Sequence, residues 1–97
     1  MNRDAVIRIL QPHLGELADR YGVKSLALFG SVARDEATGR SDVDLLVEFD
    51  RPIGLFGLFA LQDHLETLLH CSVDLGTRDS LKPRVRTKVL AECIDVA

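Results

Sequence analysis

Cysteine is scarce in this 97-residue chain: Cys71 and Cys93 are the only two, they form no C-x-x-C pair, and no histidine cluster accompanies them. That excludes a zinc module and a disulfide framework, leaving two reduced thiols in or near the core. An excess of positive charge is missing too. Twelve Lys and Arg against fifteen Asp and Glu give a net charge of −3, with the basic residues scattered. This is not the electrostatic footprint of a general DNA or RNA binder. Apolar runs such as Ile53 to Leu61 are interrupted and fall well short of the roughly 20 residues of a bilayer span, so no membrane association is expected. Met1-Asn2-Arg3-Asp4 leads directly into a helical pattern without a secretory apolar core, and the expected compartment is the cytoplasm. No internal repeat or low-complexity stretch is present. The length fits a single domain, 1–97, with one core and one site, so a large substrate must be held partly by something else.

What is present alternates helical and strand patterns. Val6, Ile9, Leu10, Leu14, Leu17, Ala18 and Tyr21 recur at steps of three and four, predicting an amphipathic helix from about Arg3 to Tyr21. Pro12 should kink or restart it, and Gly22 should end it. Ser25 to Phe29 is a short apolar run read as a buried strand. A turn or two of helix over Val32 to Ala37 is then broken by Thr38-Gly39-Arg40-Ser41, and a second strand follows from Asp42 to Phe49. Helical spacing returns from Leu55 to about Cys71, and Ser72 to Gly76 forms a third strand. A last helix carries Val85, Val89, Leu90, Cys93 and Ile94 inward, with Arg84, Arg86 and Lys88 on its outer face. The implied fold class is α/β, a small mixed sheet flanked by helices, with the second and third strands parallel across a right-handed helical crossover.

Chemistry concentrates in two of these strands. Alternation puts Asp42 and Asp44 on one face of the second strand, opposite Val43, Leu45, Val47 and Phe49. Like charges so close repel, and a divalent cation between them is the simplest resolution. If the second and third strands are neighbours, Asp74 joins the cluster, and three hard oxygen ligands favour magnesium, which recruits phosphates. Gly30-Ser31 lies where the first strand meets a helix, a place where backbone N–H groups bind phosphate and glycine lets it approach closely. Singly, each feature has an ordinary reading: a strand-end turn, a solvated Asp42 cap, a strand-edge charge at Asp74.

Together, Gly30-Ser31, ten intervening residues, and Asp42-Val43-Asp44 followed by Leu45-Leu46-Val47 resemble the minimal nucleotidyltransferases of the DNA polymerase β superfamily, the antitoxin half of HEPN/MNT toxin–antitoxin pairs. The likeness is strongest over Leu26 to Phe49. Leu28-Phe29-Gly30-Ser31-Val32-Ala33-Arg34 looks like the family's signature turn, Val73-Asp74-Leu75 sits where the family carries its third carboxylate, and Leu81-Lys82-Pro83 leads into the last helix as is usual there. Asp35 departs from the pattern, standing where glycine is common, but it removes no ligand. The resemblance implies a polymerase β-like fold with an α-β-α-β-α-β core. It also implies transfer of a nucleoside monophosphate, most often AMP from ATP, to a tyrosine hydroxyl on a partner HEPN toxin in a hetero-oligomer. Asp42, Asp44 and Asp74 would be the catalytic and metal-binding residues, holding two Mg2+ ions. Asp74 would also take the acceptor proton, and Gly30 and Ser31 would hold the β- and γ-phosphates. Two other readings stand beside this enzyme: a stoichiometric antitoxin that neutralises by binding, and transfer to a small molecule such as an aminoglycoside, whose larger relatives carry an acceptor domain absent here.

Lesser features have bland readings. His13, His64 and His70 are isolated along the sequence and read as surface or partly satisfied core side chains. Arg34 and Arg78 fall near the site in sequence order and are candidates to neutralise a triphosphate. Arg84, Arg86 and Lys88 form either a solvated face or a strip for an acidic partner. Leu55, Phe56, Leu58 and Phe59 exceed what one buried helix face needs, so part of that cluster is expected at the surface.

Overall fold

In the computed structural model, which describes residues 2–34 and 42–96, the N-terminal amphipathic stretch is two helices joined by a 3-10 turn. Asn2 caps α1 (Arg3–Leu10), its side chain accepting the Ala5 N–H at 2.8 Å. Pro12, which has no N–H to donate, occupies the 3-10 segment Gln11–His13, and α2 (Leu14–Tyr21) resumes beyond it. Gly22 ends α2 at φ 73°, and its carbonyl accepts the Asp50 N–H at 2.8 Å, fastening the start of the first strand to the end of the second.

β1 (Val23–Phe29) begins two residues ahead of the expected Ser25, because Val23 is buried in the core. The single turn α3 (Gly30–Ala33) follows, then β2 (Val43–Phe49). Asp42 therefore precedes β2 instead of opening it. The expected helical end near Ala37 and the Thr38–Ser41 turn, with Asp35, lie outside the described residues. α4 (Gly54–Leu69) stops short of the expected Cys71, because His70 adopts a left-handed conformation at φ 56° and donates its N–H to the Glu66 carbonyl. β3 (Val73–Thr77) leads through a 3-10 turn at Arg78–Ser80 to α5 (Pro83–Glu92).

The chain ends differently from expectation. Cys93 and Ile94 do not continue the last helix: Ile94 belongs to β4 (Ile94–Asp95), which pairs antiparallel with β1 through Leu28↔Ile94 and Ala27↔Asp95. A two-residue strand has no period to read, and its apolar residue falls by coincidence in step with the helix before it.

The four strands form one mixed sheet in the order β3-β2-β1-β4, as the fold class anticipated. β1 and β2 are antiparallel, while β2 and β3 are parallel across the α4 crossover. Strand alternation divides the sheet. Leu26, Leu28, Val43, Leu45 and Val47 face α1, α2 and α4, meeting Val6, Leu10, Leu17, Leu61, Leu65 and Leu69 in the main core. Ala27 and Leu46 face the other way, where α5 brings Val89 onto them.

Candidate active site

Three strand ends converge beside this second face. Phe29, the last residue of β1, pairs with Asp44 of β2, and Asp44 pairs in parallel register with Asp74 of β3. Adjacent strands lie about 4.8 Å apart, so the two carboxylates stand side by side on the face of Ala27 and Leu46. Gly30 then turns the chain across them at φ 73°, and a Cβ there would overlap the Asp44 carboxylate. No other residue type fits: the backbone conformation and the close approach both require glycine. Ser31 follows, half-buried, on the same turn.

The electrostatics are those of crowded like charges. The Asp44 carboxyl is pushed above the usual aspartate range, first by partial burial, then by the negative charges of Asp74 and Asp42. A hydrogen bond with Asp74 also favours a proton on Asp44, and only the nearby Arg34 guanidinium pulls the other way. Asp42 and Asp74 are exposed. Among the described residues, no three His, Cys, Asp or Glu side chains are gathered tightly enough to hold a metal ion as they stand. The donor set itself suits a hard divalent cation: carboxylates crowded at neighbouring register positions, with a third acidic group in electrostatic reach. The two candidate arginines separate in the fold. Arg34 caps α3 beside Asp44, whereas Arg78 follows β3 with Glu48 at the far end of the sheet, roughly 13 Å along the strand from Asp44.

The Gly30 turn thus lies over the Asp44–Asp74 register pair, and comparison with known proteins gives the family. Residues 10–96 match the nucleotidyltransferase domain family. This chain belongs to that family. The nucleotidyltransferase is 42% identical over 88 residues to the protein adenylyltransferase MntA of Thermococcus cleftensis, a match covering 91% of this chain and 89% of that protein. A solved structure described as a candidate minimal nucleotidyltransferase superposes with a TM-score of 0.81 at 38% identity, covering 97% of this chain and 95% of the other. The fold is also shared with an MNT antitoxin solved with a tri-AMPylated HEPN toxin of Shewanella oneidensis, with a TM-score of 0.61 at 19% identity, covering 99% and 69%. A toxin–antitoxin structure with AMP-PNP has the same fold, with a TM-score of 0.71 at 20% identity, covering 100% and 73%.

Elsewhere in the nucleotidyltransferase, the structure revises several bland readings. The histidines are not all isolated: the His64 ring meets the Tyr21 hydroxyl at 3.2 Å and a Glu16 oxygen at 3.9 Å, while His13 lies 3.7 Å from the other Glu16 oxygen. This cluster sits on the α2–α4 side, away from the carboxylates. Arg86 does not share an outer face with Arg84 and Lys88; it is half-buried and donates to the Leu81 carbonyl at 3.1 Å. Leu55, Phe56 and Phe59 are exposed as anticipated, Phe56 to 91%, whereas Leu58 packs against the core. Both cysteines are free thiols, and burial pushes the Cys71 thiol up. No described helix is long and apolar enough to cross a membrane. Sequence reasoning passed over Arg3 and Glu92, which reach the α3 turn from α1 and α5; single charges on helices carry no local signal.

Proposed function

We propose that this chain acts as a single-domain minimal nucleotidyltransferase, moving AMP from ATP to a tyrosine hydroxyl of a HEPN-domain toxin in the cytoplasm and thereby neutralising it. The observation that carries this reading is the Asp44↔Asp74 register pair beneath the Gly30 turn, in a chain 42% identical to a protein adenylyltransferase. The acceptor and the hetero-oligomer are assigned by analogy with the MNT antitoxin that shares the fold, and ATP by analogy with the complex holding AMP-PNP.

Gly30 offers its backbone N–H, and Ser31 its N–H and hydroxyl, to the β- and γ-phosphates. Asp42 and Asp44 would hold magnesium at the triphosphate, and with Asp74 a second ion; the chemistry such ions would supply is neutralisation of phosphate charge and a more acidic acceptor hydroxyl. Asp74, exposed beside Asp44, takes the acceptor proton as the hydroxyl oxygen bonds the α-phosphorus and the bond to pyrophosphate breaks. Arg34 adds positive charge where the pyrophosphate leaves.

Intact mass spectrometry of the co-purified partner, after incubation with ATP and magnesium, tests the reading. Wild type is expected to add AMP-sized mass to the partner. Asp42→Asn/Asp44→Asn, folded by circular dichroism, is expected to add none. A second reading, neutralisation by binding alone, is favoured by Leu55, Phe56 and Phe59, exposed on the helical layer opposite the carboxylates. A stable complex without adduct, with the double variant still neutralising the toxin, would establish it instead.

A further inference from the structure

Glu92 ends α5, and its carboxylate lies 3.2 Å from a guanidinium nitrogen of Arg34. The reaction described above makes no use of it. Arg34 is fixed to the nucleotide turn at its main chain, donating its N–H to the Gly30 carbonyl at 3.2 Å. Its side chain is long, 40% exposed, and rich in rotamers that a ligand must otherwise freeze on binding. The Glu92 contact at 3.2 Å narrows that choice beforehand. The turn is gripped from two layers: α5 packs against α3, and Arg3 of α1 donates to the Ala33 carbonyl at 3.2 Å. Holding Glu92 and meeting a phosphate are compatible, because the five N–H donors of a planar guanidinium fork can serve several acceptors at once.

We propose that Glu92 is a positioning residue for the nucleotide: it holds the Arg34 guanidinium beside the Gly30–Ser31 turn in the pose that meets the triphosphate. This rests on the nucleotidyltransferase reading above. Glu92 itself touches no substrate and acts through Arg34 alone, its own negative charge already paired.

Calorimetric titration with ATP, pyrophosphate and adenosine tests the proposal as a double-mutant cycle. Arg34→Ala is expected to weaken ATP binding about tenfold and Glu92→Ala about threefold to fivefold, the range of a partly exposed charge pair. Glu92→Gln should fall between wild type and Glu92→Ala, since its amide oxygen still accepts a hydrogen bond. Pyrophosphate should follow ATP while adenosine does not change, a split that general loosening of α5 would not produce. In the Arg34→Ala background, Glu92→Ala should have no further effect. The proposal is overturned if Glu92→Ala leaves ATP affinity unchanged or tightens it, or if its effect persists without Arg34. ATP binding without transfer removes the transferase reading and leaves the role of Glu92 standing; no ATP binding by wild type removes both.

Discussion

Along β1 and β2, consecutive residues belong to different worlds. Leu26, Leu28, Val43, Leu45 and Val47 disappear beneath α1, α2 and α4, in a core where no polar side chain of the described residues is buried. One residue over, Asp44 stands with Ala27 and Leu46 on a face where α5 supplies a small second cluster around Val89. The sealed face accounts for most of the apolar burial. The open face can therefore keep a crowded set of carboxylates that a core could not tolerate, because charges that repel need water or a cation beside them. One sheet divides the work between its two sides.

That division can be broken from either side. The largest effect on stability is expected from the sealed face: Leu65→Ala, at a position with no solvent exposure, should lower unfolding free energy by about 3 kcal/mol in urea titration. A loss as small as that of an exposed residue would mean this face is not the stabilising one. Next comes the boundary. Gly30→Ala places a side chain at φ 73°, costing about 1–2 kcal/mol of backbone strain, and drives it into Asp44. Transfer activity should fall far more than stability does, measured by adduct formation beside thermal melting.

The smallest effect sharpens the contrast. The Asp44 carboxyl is raised in the folded protein, so its ionisation opposes folding as the pH climbs above the ordinary aspartate value of about 4. In EDTA, Asp44→Asn should therefore melt slightly higher than wild type at pH 7, and the advantage should vanish as the pH falls to that value. A variant less stable than wild type at pH 7 would show that the Asp44 carboxylate supports the fold instead of straining it.

Much of this was legible in the residues themselves. The period of α1 and α2, the break at Pro12 and the helical crossover that makes β2 and β3 parallel all rest on patterns readable along the chain. Less legible were features whose cause lies elsewhere in the fold. β4 exists only because β1 offers an open edge to Ile94 and Asp95. His70 ends α4 in a left-handed conformation that a non-glycine residue seldom adopts. Arg34 and Arg78 looked equivalent in sequence, but one caps the turn beside Asp44 and the other closes the far end of β3.

By itself, then, the sequence determined which side chains alternate across the sheet and which residue types stand at the Gly-Ser turn and in the acidic strands, because periodicity and local sterics act over a few residues. Only the tertiary structure decided that Asp44 and Asp74 share a register position, that Gly30 lies against a carboxylate, and that Glu92 reaches Arg34 across 58 positions of chain. Those contacts depend on how strands pair and helices dock, and burial of the shared apolar face is the force that brings such distant residues together.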